Sequence, residues 1–454
     1  MTERADGPGG RRPRVLLVAS TTGYQVRSFE SAARRRGVDL ILATDRCHVL
    51  DDPWRDGAIP VRFEDVGFSV AVVVGALAAR PVDGVLAVGD HPSVVAAAVA
   101  EAMSLSTSPL DAVRAARSKL LTRICFRDAG LPCPWFVVVT PPGDAVEVAC
   151  PPSVAFPCVV KPLALSASRG VIRVDTEDAL GPAIDRAWRV VVAADTNGLT
   201  GAERDTILVE GYVPGREVAV EGILTDGHLK TWAVFDKPDP LEGPFFEETI
   251  YVTPSRLASI DCRRVTRAVA TAAAALGLTW GPIHAECRLP GSSYTERDSG
   301  SPAEHAADEA GVVVLEVANR PIGGLCARAL RFDDGCGGDV MCLEDLILRH
   351  ALGESVAGYQ RETCAAGVMM IPIAMDGVYK RVEGLARARA VTGVDDIVIT
   401  AKPDQRMQPL PEGSAYLGFI FARGDRPSDV VTALRAAHDR LQFYMAPVVA
   451  LGSH

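Results

Sequence analysis

Short apolar runs and amphipathic stretches alternate along the N-terminal part of the chain. Arg14–Ser20, Asp39–Ala43 and Gly84–Val88 are apolar runs with the length of a buried strand. The stretches Tyr24–Arg36 and His91–Ala102 carry their apolar residues at helical spacing. Because strands alternate with helices here, the pattern predicts a small doubly wound parallel sheet.

Polar residues follow two of these predicted strands, at the edge where such sheets bind ligands. Thr21, Thr22 and Gly23 come after the first strand, and Asp90 and His91 come after the later one. Open parallel sheets bind their ligands beyond the carboxyl ends of the strands. A turn-forming role is equally compatible with these residues, so both interpretations stay open at this point.

The segment from Phe156 to Val171 (FPCVVKPLALSASRGV) predicts a hairpin with a flexible connection. The apolar run Cys158–Val160 ends at Lys161, and the small-residue loop Ser166–Gly170 leads into a second apolar run. A lysine at a strand end is a fixed charge, and a loop without bulky side chains lets backbone N–H groups approach phosphate oxygens. The alternative is an ordinary hairpin with a snorkelling lysine, because no Walker or G-x-G-x-x-G spacing occurs here.

Two predicted helices and a strand–turn–strand flank this hairpin. Pro109–Gly130 has helical periodicity and carries Lys119, and Thr176–Ala194 is the second helical stretch. The pattern over Ile207–Ile223 predicts two strands joined by a turn at Pro214-Gly215. Such an extended segment offers backbone groups to an adenine edge, and a following carboxylate can hold ribose hydroxyls. A turn with exposed glutamates is the alternative.

Two downstream strands each carry an acidic residue, Glu286 and Glu316, within an apolar run. A carboxylate in a buried strand is costly unless it is paired or binds a metal. Carboxylates on neighbouring strands would form an oxygen-rich site suited to Mg²⁺. Asn319 is a further oxygen donor, Arg320 adds a fork that pairs with phosphate, and Gly323-Gly324 keeps the adjacent backbone open to a ligand.

Composition narrows the class of protein. The 454 residues allow about three domains, and 48% hydrophobic with 23% charged residues is a globular composition. The net charge of -10 argues against nucleic acid or an anionic membrane as the main partner. The eleven cysteines form no C-x-x-C pair, which favours reduced thiols in a cytosolic protein. Only six of the 47 basic residues are lysine, so each lysine is a candidate for a position that requires a compact ammonium.

Taken in this order, these segments resemble the ATP-grasp superfamily, and within it the carboxylate–amine ligases, especially the bacterial L-amino-acid ligases that make dipeptides. The resemblance covers nearly the whole chain and implies a multidomain α/β and α+β protein. Its expected parts are a disordered tail (1–13), a Rossmann-like domain (14–118), a small ATP-grasp subdomain with the phosphate lid (119–205), a large subdomain with the metal site (206–354) and a C-terminal α/β closing domain (355–454).

The resemblance also implies roles for individual residues. The nucleotide phosphates would meet Lys119, Lys161 and a lid formed by Ser166, Ser168, Arg169 and Gly170. Adenine would be lined by Glu210, Tyr212 and Val213, and the ribose held by Glu217. The metal ligands would be Glu286, Glu316 and Asn319. Catalytic roles would fall to Arg320, His284 and Lys161. Substrate contacts would come from Lys237, Glu247 or Glu248, His284, Arg320, Gly323 and Gly324.

The sequence departs from the superfamily in the second metal strand. Many ATP-grasp enzymes have E-x-N there, whereas this chain has two residues between Glu316 and Asn319. The polar segment Gly291–Gly311 between the acidic strands is expected to be a surface insertion.

The expected function is ATP- and Mg²⁺-dependent amide formation through an acyl-phosphate, with Mn²⁺ as an alternative cation. The substrates would be a small-molecule carboxylate and an amine, such as two amino acids. The enzyme would be cytoplasmic, with no nucleic-acid or membrane partner, and a homodimer is allowed. The alternatives are carboxylation of the biotin-carboxylase type, a purine-pathway ligase, and a non-catalytic ATP-binding regulatory protein.

Overall fold

The structure is a computed structural model that describes residues 11–20, 25–45, 57–141, 154–193, 199, 201–291, 311–335, 337 and 339–448. Its first unit contains β1 (Arg14–Ala19), α1 (Val26–Arg36), β2 (Asp39–Thr44), β3 (Ile59–Pro60), α2 (Val66–Leu77), β4 (Gly84–Val88) and α3 (Asp90–Ala102). The four strands form a parallel sheet in the order β3-β2-β1-β4. The predicted parallel sheet is therefore confirmed, while Thr21, Thr22 and Gly23 lie outside the described residues.

Two short helices replace the single helix that Pro109–Gly130 predicts. They are α4 (Leu110–Arg117) and α5 (Lys119–Asp128), and they are separated by Ser118, whose backbone is extended with φ -91° and ψ 115°. The Ser118 hydroxyl accepts a hydrogen bond from the Leu121 N–H at 3.4 Å, so it caps α5. The break makes Lys119 the first residue of α5, and its side chain reaches a neighbouring loop instead of lying mid-helix.

A four-stranded antiparallel sheet follows. Its elements are β5 (Phe136–Val139), β6 (Cys158–Pro162), β7 (Ile172–Val174), α6 (Leu180–Ala193), α7 (Gly201–Asp205) and β8 (Ile207–Gly211). The strand order is β5-β8-β6-β7, and β6 pairs with β7 through Val160 and Ile172. The predicted hairpin is therefore confirmed. The helix predicted over Thr176–Ala194 begins only at Leu180, after a 3₁₀ turn.

The rest of the chain is built around one eight-stranded sheet. Its first part contains β9 (Arg216–Thr225), β10 (His228–Asp236), β11 (Ile250–Thr253), α8 (Ser259–Leu276), β12 (Gly281–Leu289) and β13 (Val313–Ala318). The following part contains β14 (Arg331–Asp333), β15 (Met341–Cys342), α9 (Leu343–Ala351), β16 (Gln360–Arg361), β17 (Ala365–Ile371), β18 (Gly377–Glu383), α10 (Leu385–Arg389), β19 (Val394–Ile399), β20 (Arg406–Met407), β21 (Gly418–Gly424), α11 (Pro427–His438) and β22 (Gln442–Ala446).

The order of the large sheet is β13-β12-β9-β10-β11-β17-β21-β19, so strands before and after residue 355 hydrogen-bond to one another. The strands before and after the predicted domain boundary at 354/355 thus belong to one continuous sheet. Two three-stranded sheets, β15-β14-β16 and β20-β18-β22, accompany it. Residues 292–310, which make up nearly all of the predicted surface insertion, lie outside the described part of the chain. No helix within the described ranges is long and apolar enough to cross a membrane.

Side chains alternate between the two faces of the sheet along β9, and the face that carries its glutamates lies beneath the cleft. Val218 and Val220 pack with Val265 and Val269 of α8 in one apolar cluster. The alternate residues of β9, which include Glu217 and Glu221, point to the opposite face of the sheet. That face is the floor of the cleft described below.

A buried histidine on α9 makes the stability of this fold depend on pH. His350 lies 4.0 Å from Trp280 between ring centroids, and its Nε2 is 2.9 Å from the Thr225 hydroxyl. Burial lowers the pKa of His350 from 6.5 to about 4, against a weaker opposing effect of Asp226. Since the unfolded chain binds this proton at higher pH than the folded chain does, acid favours unfolding.

We expect the free energy of unfolding to lose up to about 3 kcal/mol through His350 as pH falls from 6.5 to 4, and to lose nothing through it above 6.5. Urea unfolding at pH 7 and pH 4.5 measures this, with His350→Gln alongside the wild type. The variant should show the smaller loss between the two pH values. An equal loss in both proteins would contradict the prediction.

Candidate active site

A cleft of about 530 Å³ opens where the N-terminal sheet, the four-stranded sheet and the eight-stranded sheet meet. Most residues predicted for the site lie on its walls: Lys119, Lys161, Ser166, Ser168, Glu210, Tyr212, Val213, Glu217, His284, Glu286, Glu316, Arg320, Gly323 and Gly324. Five others have different surroundings: Arg169, Gly170, Lys237, Glu247 and Asn319. The cleft therefore assembles side chains from segments that are far apart in the sequence.

Two lysines face the same end of the cleft. Lys119 begins α5, and its Nζ donates a hydrogen bond to the Leu165 carbonyl at 2.7 Å. Lys161 lies near the end of β6 and forms an ion pair with Glu210 on the adjacent strand β8. Burial lowers the pKa of Lys161, while Glu210 acts against that shift. The structure thus places both predicted phosphate lysines beside the loop that begins at Ser166.

The Glu210 carboxylate is held by an arginine that the sequence analysis did not identify. Arg123 of α5 donates from Nε at 2.8 Å and from Nη2 at 3.1 Å, so the two side chains form a bidentate pair. Burial alone would raise the pKa of Glu210, but Arg123 and Lys161 overcome burial and hold that pKa at about 2. Glu210 lines the cleft as predicted, although its carboxylate oxygens are engaged by these two cations.

The predicted phosphate lid has a backbone conformation that suits small residues. Ala167 and Ser168 have φ values of 55° and 53°, in the left-handed region. Gly170 has φ 73°, and a Cβ there would lie 2.7 Å from Pro162 Cγ, so glycine is required by both conformation and space. Ser166, Ala167 and Ser168 turn toward the cleft.

The end of the lid contacts the C-terminal part of the chain instead of the cleft. The Gly170 N–H donates to the Pro411 carbonyl at 2.9 Å, and Arg169 Nε donates to the Glu412 carbonyl at 2.9 Å. Arg186 of α6 also binds the Glu412 carboxylate, at 2.7 and 3.1 Å. Arg169 Nε and the Gly170 N–H are thus engaged by this segment, and the binding of nucleotide phosphates by these two residues stays a prediction.

An ionic cluster lies on the floor of the cleft. Carboxylate oxygens of Glu217, Glu248 and Glu286 all lie within 4.8 Å of one another. The Nζ atom of Lys237 is 2.6 Å from Glu217 and 2.5 Å from Glu248. It is also 3.3 Å from Glu286. Burial alone would lower the pKa of Lys237, but the carboxylates raise it well above 10.5, so the lysine is charged. Lys237 is thus a buried counter-ion of the cluster, and its contact with substrate stays a prediction.

Of the neighbouring residues Glu247 and Glu248, only Glu248 is among the residues that line the cleft. Glu248 lines the cleft and accepts a hydrogen bond from the Tyr251 hydroxyl at 2.6 Å. Glu247 is half-buried away from the cleft, where burial raises its pKa and the Ile373 backbone partly opposes the shift. This position favours Glu248 over Glu247 for the predicted contact with substrate, which stays a prediction.

The two acidic strands are neighbours in the sheet, as the sequence predicts. Glu286 on β12 pairs across the sheet with Glu316 on β13, and both line the cleft. Their oxygens are the donors that Mg²⁺ prefers, so this pair fits a hard divalent cation. Asn319 lies apart from them, since its amide donates to the Trp280 carbonyl at 3.1 Å and to the Pro282 carbonyl at 3.4 Å. These bonds use the amide nitrogen, and the role of the Asn319 oxygen as a metal ligand stays a prediction.

A buried glutamate orients the histidine of the cleft. His284 Nδ1 lies 3.1 Å from Glu221, and its Nε2 lies 3.5 Å from Glu286. Burial lowers the pKa of His284, but the two carboxylates outweigh it and raise that pKa to about 9. Glu221 also accepts a hydrogen bond from the Ile322 N–H at 3.0 Å. Glu221 is not among the residues predicted from the sequence. It follows Glu217 by four positions in the same strand, so the two side chains lie on one face of that strand.

Tyr212 lies among cations and aromatic rings at the predicted adenine position. Arg173 and Arg288 lie 4.3 and 5.1 Å from its ring centroid, and Phe246 stacks against it at 6.4 Å. Arg288 Nε also binds Glu217 at 2.8 Å. Glu217 thus accepts one hydrogen bond from Lys237 and one from Arg288, and its predicted contact with ribose would use a remaining lone pair.

Arg320 stands opposite the acidic floor. It forms a bidentate pair with Asp90, with distances of 2.7 and 3.1 Å. The following turn contains Gly323 and Gly324, and Gly324 has φ 60°. A Cβ on Gly324 would lie 3.1 Å from the Phe419 ring, so this turn packs directly on β21.

Comparisons with known proteins agree with this arrangement. Residues 154–296 match the family described as ATP-grasp domain, and residues 369–446 match L-amino acid ligase C-terminal domain 2. The ATP-grasp enzyme fsqD of Aspergillus fumigatus is 28% identical over 313 residues, which are 64% of this chain and 51% of that protein. The chain thus spans about half the length of this curated relative.

Solved structures share the fold over nearly the full chain. An L-amino acid ligase from Bacillus licheniformis superposes with a TM-score of 0.77 and 24% identity, covering 96% of this chain and 100% of that one. Phosphoribosylglycinamide synthetase from Anaerococcus prevotii superposes with a TM-score of 0.62 and 15% identity, covering 96% and 100%. The predicted fold class is confirmed by these similarities.

Proposed function

Since this chain belongs to the ATP-grasp superfamily, we propose that it is an ATP-dependent, ADP-forming ligase that joins a carboxylate to an amine through an acyl-phosphate. One observation carries the proposal: a single cleft holds Lys119 and Lys161 at one place and Glu286 with Glu316 at another. The lysines match a triphosphate, and the carboxylates match the hard cation that accompanies it.

Phosphoryl transfer depends on positioning and charge neutralisation, and the chain supplies both. Lys119 and Lys161 would neutralise the phosphate oxygens of ATP. Glu286 and Glu316 would hold Mg²⁺, which supplies further neutralisation of the phosphates when bound. The loop Ser166–Ser168 would cover the phosphates and exclude the water that hydrolyses an activated carboxylate.

Amide formation requires groups that stabilise the acyl-phosphate and the oxyanion that follows it. The Arg320 guanidinium and the backbone N–H groups near Gly323 line the cleft, and they are suited to this role. An amine would attack the acyl carbon, the C–O bond to phosphate would break, and inorganic phosphate would leave. His284, charged at neutral pH, faces the same space and would contact the phosphate or the substrate.

The substrates are best described as a pair of amino acids. This class is supported by the match of residues 369–446 to an L-amino acid ligase domain and by the similarity to the Bacillus licheniformis enzyme. The cleft fits the class, because Glu248 offers an acceptor to an ammonium group and Arg320 offers donors to a carboxylate or its phosphate ester.

The test is phosphate release from Mg-ATP across single amino acids and amino-acid pairs, with mass spectrometry of the products. Release that requires particular pairs, together with a new amide, is the expected result. Release with bicarbonate or with a phosphoribosyl amine would contradict the amino-acid assignment and favour another ATP-grasp reaction. Nucleotide binding without turnover on any panel member would contradict the proposed ligase.

Glu316→Gln is expected to lower kcat by about 100- to 1,000-fold, because the change removes a cation ligand and keeps the side-chain volume. The same phosphate and mass-spectrometric assay measures it. Glu354→Gln is the matched control, since Glu354 pairs with Arg36 at 3.1 Å away from the cleft. Equal activity of the two variants would argue against the Glu286–Glu316 site.

A further inference from the structure

Asp90 and Arg320 meet across the cleft from distant parts of the chain. Asp90 is the first residue of α3, directly beyond the carboxyl end of β4, whereas Arg320 follows β13. Both line the cleft, and their side chains are only 18% and 11% exposed. Their ion pair therefore links the N-terminal sheet to the eight-stranded sheet at the place where the substrate carboxylate would be activated.

The hydrogen bonds of Arg320 leave one edge of its guanidinium available. Nε donates to Asp90 Oδ1 at 2.7 Å, and Nη2 donates to Asp90 Oδ2 at 3.1 Å. Nη1 donates to the Pro321 carbonyl at 3.1 Å. Because a guanidinium has five N–H donors, two of them, one on each Nη atom, have no partner among the residues that the structure describes. Two parallel donors of this kind match the oxygens of a phosphate or carboxylate.

Hydrogen bonds hold the backbone at Asp90, where α3 begins. The Gly89 carbonyl accepts the Ser93 N–H at 3.2 Å, and the Asp90 carbonyl accepts the Ser93 hydroxyl at 2.7 Å. Burial alone would raise the pKa of Asp90, but Arg320 lowers it below 3.8, so the carboxylate is charged. Asp90 is thus an anchored anion, and the long arginine side chain is the partner that it positions.

We propose that Asp90 is a positioning residue for the ligase reaction, which holds the Nε–Nη2 edge of Arg320 so that the other two N–H donors face the acyl-phosphate. This inference rests on the proposed function. The competing interpretation is that Asp90 blocks Arg320 and is displaced when substrate binds. The two interpretations predict opposite effects of removing the Asp90 charge.

The test compares the steady-state kinetics of Asp90→Asn and Asp90→Glu with those of the wild type. If Asp90 positions Arg320, Asp90→Asn should lower kcat about 10- to 100-fold, with KM for ATP changed less than about threefold. Asp90→Glu keeps the charge and should recover part of the lost kcat. A lower KM for the carboxylate with unchanged kcat in Asp90→Asn would overturn the proposal in favour of displacement.

Two controls separate positioning from stability. Glu354→Gln weakens another ion pair between the N-terminal unit and the rest of the chain, through Arg36 of α1, and should leave kcat unchanged. The melting temperature of Asp90→Asn should equal that of Glu354→Gln within about 3 °C. A lower melting temperature together with a raised KM for ATP would assign Asp90 a merely structural role and overturn the proposal.

A spectroscopic readout tests the ion pair without turnover. The Nε–H resonance of Arg320, assigned by its loss in Arg320→Lys, should exchange slowly with water in wild type and in Glu354→Gln. It should exchange at least about tenfold faster in Asp90→Asn, because the paired edge is then released. Rapid exchange in the wild type would overturn the inference even if ligation is observed. Slow exchange in a wild type that ligates nothing would refute the proposed function while leaving the Asp90–Arg320 pair intact.

Discussion

Lys161→Met is expected to lower kcat for amide formation by about 100- to 1,000-fold. Lys161 lies on the cleft wall at the end of β6, beside Lys119 and the lid, so its ammonium faces the position assigned to the phosphates. Methionine keeps a flexible apolar stem and removes the charge. The measurement is phosphate release with an active amino-acid pair, and the amide product is followed in parallel.

Two further variants sharpen this prediction. Lys161→Arg should recover little of the activity, because a planar guanidinium is larger than an ammonium and Lys161 is already packed against Glu210. Lys380→Met is the matched control, since Lys380 pairs with Asp404 at 2.7 Å on the surface. If Lys161→Met were as active as Lys380→Met, Lys161 would have no role in phosphoryl transfer.

Stability should change little in Lys161→Met. Glu210 would keep both hydrogen bonds from Arg123, so its charge would remain compensated in the buried site. A loss of activity with an unchanged melting temperature would therefore locate the defect in the reaction and not in folding.

Sequence patterns predicted those features of the site that a single segment reveals by itself. The hairpin containing Lys161 follows from two apolar runs around a small-residue loop, and the register of β6 with β7 confirms it. The acidic pair follows from carboxylates inside apolar runs, and the sheet brings Glu286 opposite Glu316. In each case the local cost of burying a charge, or of turning the chain, is visible in the sequence itself.

The parts that escaped prediction are contacts between distant segments. Asp90 and Arg320 are 230 residues apart, and Arg123 and Glu210 are 87 residues apart. No periodicity connects such pairs, since the packing of whole sheets decides which charges meet. The burial of Lys237 escaped prediction for the same reason, because its carboxylate partners come from β9 and β12 and not from its own loop.

The prediction of one helix over Pro109–Gly130 was wrong for a more local reason. Helical periodicity continues through Pro109–Gly130, yet the helix is interrupted at Ser118, because the Ser118 hydroxyl caps a new helix. The break directs Lys119 toward the loop at Leu165 and Arg123 toward Glu210. A single serine thus determines where two cations of the site point.

Arg123→Met is expected to lower the free energy of unfolding by about 3–5 kcal/mol, because it leaves a buried carboxylate without its main partner. The Arg123 side chain is 1% exposed, and it holds Glu210 with two hydrogen bonds and the Leu315 carbonyl with a third at 3.0 Å. It therefore ties α5 to β8 and to β13, the strand that carries Glu316. Urea unfolding measures the change.

The control for this prediction lies one turn along the same helix. Arg127→Met removes an arginine that is 59% exposed, pairs with the adjacent Asp128 and lies 5.7 Å from the Phe136 ring centroid, so its effect should stay below about 1 kcal/mol. In the double variant Arg123→Met/Glu210→Gln, stability should recover in part, because no carboxylate is then left buried and underpaired. If Arg123→Met were as stable as Arg127→Met, the buried Arg123–Glu210 pair would contribute nothing to holding α5, β8 and β13 together. In that case Lys161 alone would have to compensate the Glu210 charge, and the lysine would be a structural counter-ion before it was a phosphate ligand.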